Sequence, residues 1–81
     1  MDNGEITVVV DLHGYTRSEA RRFTFNIINS GTNIPFSLDV IHGFHRGTVI
    51  KKMLIDDLYS NRIQEIVVDE TNPGLTHLVL A

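Results

Sequence analysis

Near the start of the chain the segment VVVDLHG places a carboxylate, Asp11, two residues before an imidazole, His13. On an extended backbone, residues two apart leave the same face of the strand, so these two groups can meet. A carboxylate beside an imidazole fixes its tautomer and favours its protonated form, which suits a general base or acid. The plainer alternative is that Asp11 caps a turn and His13 bonds nearby backbone. The following His-Gly recurs 29 residues later: HGYTRS at 13–18 is echoed by HGFHRGT at 42–48. His13 matches His42, Gly14 matches Gly43, Tyr15 matches Phe44, Arg17 matches Arg46, and Arg22 falls on Lys51. Two imidazoles, a carboxylate and a guanidinium, if brought together, are equipment for phosphodiester cleavage, in which charge grows on phosphoryl oxygens and protons must move.

Something must bring them together. Ile6 to Leu12 (ITVVVDL) is β-branched and apolar on both alternating sets, the pattern of a strand covered on both faces. Thr16 with Glu19 three residues on is a capping box. Ala20, Phe23, Ile27 and Ile28 then share a helical face that runs out near Asn29. Phe36 to Ile41 is a second strand. Thr48 is an N-cap for a second helix carrying Ile50, Met53, Leu54 and Leu58 at helical spacing. Ile63 to Val68 and Leu75 to Leu80 are two further strands, which Pro73-Gly74 joins as an antiparallel hairpin through a type II turn.

The order β-α-β-α-β-β is an α/β two-layer sandwich, with four strands in a mixed sheet and two helices. A strand-helix-strand crossover makes its strands parallel, so both His-Gly pairs arrive at one sheet edge, each before a helix N-terminus. Two such termini favour an anion such as phosphate. Tyr15 and Phe44 then either seal the edge of the core or stack on a base. Phe23 and Phe25 read as core, or core and rim. His77 reads as a partly exposed sheet residue, and Asp56-Asp57 and Asp69-Glu70 as solvated acids.

Eighty-one residues make one domain, 1–81, and a domain of that size buries only about 60% of its unfolded surface, so a shallow site is expected rather than an enclosed cavity. A chain that is 42% hydrophobic and 21% charged is not a disordered tail. The absence of cysteine rules out disulfides and thiolate metal sites and favours a cytoplasmic setting. Apolar runs such as Val8-Val9-Val10 fall far short of the roughly 18 residues a membrane helix needs, and MDNGEIT is acidic where a signal peptide is basic. Net charge is −3, yet residues 12–55 hold six cations, Arg17, Arg21, Arg22, Arg46, Lys51 and Lys52, against Glu19 and Asp39. The repeated motif therefore lies in the basic half.

The chain resembles the small MutS-related (Smr) domain family, a free-standing member of it. The resemblance rests on Asp11-Leu12-His13-Gly14, on Glu19-Ala20, on His42-Gly43 and on Asn72-Pro73-Gly74, and runs from about Val8 to Leu80. It implies the fold of the C-terminal domain of a bacterial translation initiation factor. It also implies endonuclease activity, either nicking of DNA or cleavage of RNA at the ribosome. For the chain itself a monomer is the expectation. Asp11 and His13 take the place of the family's catalytic Asp-x-His, and His42-Gly43 that of its HGxG motif. Arg46 joins His42 as a further catalytic group. Gly14, Arg17, Arg21, Arg22, Gly43, His45, Gly47, Lys51 and Lys52 are the expected nucleic-acid contacts. A divalent metal such as Mg2+ is compatible with Asp11 but not demanded. The fourth position of HGxG is His45 rather than glycine, with Gly47 two places later, so the loop departs from the family's path if that position needs positive φ. The rival expectation is a module that binds nucleic acid or a ribosomal surface without cutting.

Overall fold

The computed structural model describes residues 6–30, 35–43 and 48–81. Four strands and two helices follow one another as β1 (Ile6–Asp11), α1 (Arg17–Ile28), β2 (Phe36–Ile41), α2 (Thr48–Lys52) with a π-helical turn (Met53–Asp57), β3 (Ile63–Val68) and β4 (Leu75–Leu80). They form a mixed sheet in the order β1-β2-β4-β3, with β1 parallel to β2 and both other pairings antiparallel. The α+β two-layer sandwich is therefore the architecture, and β3–β4 is the expected hairpin.

One face of the sheet carries the core. Phe36, Leu38 and Val40 of β2 and Leu78 and Leu80 of β4 pack with Ala20 and Ile28 of α1 and with Ile50, Met53, Leu54 and Leu58 of the second helical segment. These are period-2 and helical sets meeting across a single layer interface. Among the described residues no helix lies over the opposite sheet face. Val9 of β1 is 60% exposed and Ile6 46% exposed, so β1 is not covered on both faces as its apolar run implies. An apolar run records β-propensity as well as burial, and here β-branched valines serve an edge strand.

Helix α1 begins as its sequence dictates. Thr16 accepts from the Glu19 amide and Glu19 accepts from the Thr16 amide, and Asn29 ends the helix. The buried stripe is Ala20, Thr24 and Ile28, a set spaced by four. Phe23 lies off that stripe and packs edge-on against Tyr15, ring centroids 5.8 Å apart. Phe25 is also exposed, with the Arg21 guanidinium above its ring. Both phenylalanines are thus rim rather than core. In the second helical segment all four anticipated apolar residues are buried. Thr48 is the first helical residue rather than the cap, and the capping position falls outside the described residues. The wider π turn swings Leu58 onto the face that Met53 occupies five residues earlier.

The β3–β4 connection corrects one detail. Leu75 N–H donates to Asn72 O at 3.1 Å, which makes Pro73 and Gly74 the central turn residues. Positive φ, however, occurs among the described glycines only at Gly14 and Gly43. A type II turn needs it at Gly74, so this turn is not type II. Gly74 answers a different demand, because a Cβ there would lie 3.1 Å from the Gly43 carbonyl carbon. No helix among the described residues is long and apolar enough to cross a membrane.

Candidate functional site

Strand β1 ends at Asp11, and the chain turns at once: Tyr15 N–H donates to Leu12 O at 3.0 Å, with His13 and Gly14 at the corner. Gly14 takes φ +86°, the left-handed value this corner requires and side chains resist. Asp11 and His13 point to the helix-free side of the sheet, and their groups meet there. Asp11 Oδ1 lies 2.6 Å from His13 Nδ1 and also accepts the His13 amide at 3.1 Å. The side chains are 52% and 74% exposed. Hydrogen bonds from the His13 ring, and secondarily from its amide, hold the Asp11 carboxyl below its ordinary value. An ionised carboxylate only accepts, so Nδ1 carries the proton and Nε2 is left facing solvent. Asp11 thus caps the turn by accepting the His13 amide and also orients the His13 ring.

The second His-Gly arrives at the same edge in a different way. Gly43 repeats the left-handed conformation of Gly14, at φ +87°. A Cβ at Gly43 would come 3.7 Å from His13 Cβ, so the two loops lie side by side. Yet His42 is 2% exposed. Its Nδ1 faces Gly43 O at 3.0 Å and its Nε2 faces the Thr76 hydroxyl at 2.9 Å. A carbonyl only accepts, so Nδ1 donates and Thr76 donates to Nε2. Burial pushes the His42 imidazole below its ordinary value, with Lys51 adding to the effect. The cause is register. Asp11 pairs with Ile41, so the sheet aligns His42 with Leu12, one position away from its partner in the sequence repeat. A one-residue offset sends a side chain to the other face. His42 accordingly joins the core and cannot serve as the second proton-transfer group or as a phosphate contact.

A third segment closes the edge. Gly74 O accepts the amides of His42 at 2.8 Å and Gly43 at 3.2 Å, so the β3–β4 turn is the floor of the second loop. Asp69 organises that turn by accepting from Thr71 N–H, the Thr71 hydroxyl and Asn72 N–H through Oδ1, while Asn72 Oδ1 accepts Gly74 N–H. The other Asp69 oxygen faces His77 Nε2 at 2.9 Å, and His77 Nδ1 faces Asp39 at 2.8 Å. This Asp39–His77–Asp69 group is missing from the sequence reading, which treats Asp69 as a solvated acid. Its only sequence signal is that Asp39 and His77 sit on the non-core parity of their strands, and the pairing that joins them is 38 residues long.

The basic residues divide. Arg17 is ion-paired with Asp57 of the π turn, and Arg21 donates to the Asp57 carbonyl at 3.4 Å, so Asp57 is not simply solvated. With Ser18, Arg22 and Phe25 the two arginines line a shallow surface groove on α1. Lys51 is half-buried and Lys52 exposed. Arg46, His45, Gly47 and Phe44 lie outside the described residues. The N-terminus of α1 already holds the Glu19 carboxylate, which occupies the place expected for phosphate. Among the described residues no group of three or more His, Asp or Glu is arranged to hold a metal ion. The chain matches no protein-family model, no curated protein and no solved structure.

Proposed function

We propose that this domain is an endonuclease of the Smr type, acting in the cytoplasm on RNA in preference to intact duplex DNA, with the ribosome as a possible platform. The observation that carries the reading is the Asp11–His13 pair, hydrogen-bonded at 2.6 Å and open to solvent at a sheet edge. With its proton held on Nδ1, His13 presents Nε2 as a base toward a ribose 2′-hydroxyl. The deprotonated oxygen bonds to phosphorus, the bond to the 5′-oxygen breaks, and a proton returns to that oxygen, leaving a cyclic phosphate. Arg46 stabilises the charge on the phosphoryl oxygens, and His45 beside it is the group positioned in sequence to supply the second proton, a role His42 cannot fill. Gly14 and Gly43 give the phosphate close access to backbone, while Arg17, Arg21, Arg22, Lys51 and Lys52 hold the flanking strand.

Positioned acid–base groups contribute about 10²–10⁴-fold. His13→Ala should therefore slow cleavage of an end-labelled RNA by about that factor, and Asp11→Ala by a smaller one, with chelator leaving the wild-type rate intact. Unchanged cleavage in both variants would sink the assignment. A second reading has its own support. Among the described residues His13 is the one imidazole at this edge free of a second partner, and the chain carries a net −3. If no cut product forms but salt-sensitive RNA binding is lost in Arg46→Ala, the domain is a binding module instead.

A further inference from the structure

We infer that His77 acts as an imidazolium clasp: it holds the β3–β4 turn, and through that turn the His42–Gly43 loop, against the Asp11–His13 pair, and its deprotonation lets the turn go. Each ring nitrogen of His77 faces a carboxylate oxygen, Asp39 at 2.8 Å and Asp69 at 2.9 Å. Carboxylates accept, and a neutral imidazole has only one N–H to give. Both contacts are satisfied together only by the cation.

The groups around His77 act in the same sense. Asp39 faces it from β2, across the sheet in direct register, and Asp69 faces it from the turn. Val67 is its apolar neighbour on β3, Glu65 lies two pairs further along that strand, and Glu70 is exposed in the turn. The hydrogen bonds it donates to Asp39 and then to Asp69 hold the imidazolium above its ordinary value. His77 first, and then Thr71 and Asn72, hold the Asp69 carboxyl well below the usual carboxylate range.

When the proton leaves, one contact must open. Asp39 has no hydrogen-bond partner but His77 among the described residues and is only 23% exposed, whereas Asp69 keeps three donors in its own turn. The remaining N–H therefore stays with Asp39, and the Nε2 lone pair is left against Asp69 Oδ2. The repulsion turns the Asp69 carboxylate, and with it the amides of Thr71 and Asn72. Asn72 holds Gly74, Gly74 holds the amides of His42 and Gly43, and the Gly43 loop runs beside His13, where a Cβ on Gly43 would come 3.7 Å from His13 Cβ.

The clasp is testable without any substrate, so it stands or falls separately from the cleavage reading. The measurement is an NMR pH titration of the labelled protein in a His13→Gln background, which removes the imidazole beside the Gly43 loop, with the His42, His45 and His77 rings each followed through their own carbon-bound protons. His77 should titrate above its ordinary value of 6.5, and the amides of Asn72, Gly74 and Gly43 should shift with the same midpoint. In Asp69→Asn the new carboxamide keeps an acceptor for the turn and offers an N–H to neutral Nε2. The His77 midpoint should then drop and the shared transition vanish. Should that variant fail to fold, His77→Gln, which removes the titrating group, should abolish the transition. A His77 midpoint at or below 6.5, or Gly43 and Gly74 amides that stay still through it, would overturn the clasp.

Discussion

Two histidines in equivalent sequence contexts have opposite fates because sheet register and repeat register differ by one residue. His13 is a solvent-facing imidazole oriented by Asp11, and His42 is a buried neutral imidazole that fixes a loop. Its partner Thr76 is buried too, and removing the hydroxyl strands a buried ring nitrogen. Thr76→Val should therefore lower stability by about 1–3 kcal/mol in urea unfolding. Thr24 makes the opposite case: it is fully buried in α1, and its Oγ1 has no partner among the described residues. Thr24→Val should leave stability unchanged or raise it by about 1 kcal/mol, since an unsatisfied hydroxyl already carries its desolvation cost. Thr76 and Thr24 are alike in burial, one in a strand and one in a helix, so the two midpoints set a partnered hydroxyl against an unpartnered one.

At the scale of elements, the start of α1 is the most local feature of the fold and the most legible. Thr16 and Glu19 satisfy each other's amides within four residues, which is why a capping box can be seen in sequence. Thr16→Ala should cost about 1 kcal/mol, read as a lowered urea midpoint with an unchanged slope. The tie from α1 to the π turn is of another kind. Arg17 and Asp57 are each nearly half exposed and 40 residues apart, and such pairs contribute under about 1 kcal/mol. Neither that tie nor the π turn has a local signature. The Pro73-Gly74 turn was found at the right place but for the wrong reason, because glycine is demanded there by the approach of Gly43 and not by its own φ.

For the whole molecule, stability should depend on pH in two opposed ways. His42 has a lowered value in the fold, so the unfolded chain binds more protons there. Its contribution is complete above 6.5 and is lost as pH falls through 6.5 toward the folded value. His77 is raised, so its contribution is complete below 6.5 and is lost as pH rises through the folded value. Asp69 is lowered, so what it adds is complete above its ordinary 3.8 and is lost as pH falls from there toward the folded value. Stability followed by urea unfolding across pH 5 to 9 should thus decline on both sides of a middle range. His77→Gln should flatten the alkaline decline and leave the acid one in place; a variant that changes the acid side instead would contradict this division.

What the sequence determined by itself was whatever short-range pattern controls: four strands and two helical segments in order, the cap of α1, the parallel delivery of two His-Gly loops to one edge, and the Asp11-x-His13 pair. Periodicity and capping act within a few residues, so they can be read along the chain. Tertiary structure decided which face each group takes and whom it meets. The offset that buries His42 is set by pairing β1 to β2 across 30 positions, and the Asp39–His77–Asp69 clasp by pairing β2 to β4 across 38. Alternation states that neighbours in a strand face opposite ways, but only the register between strands states which of them faces in.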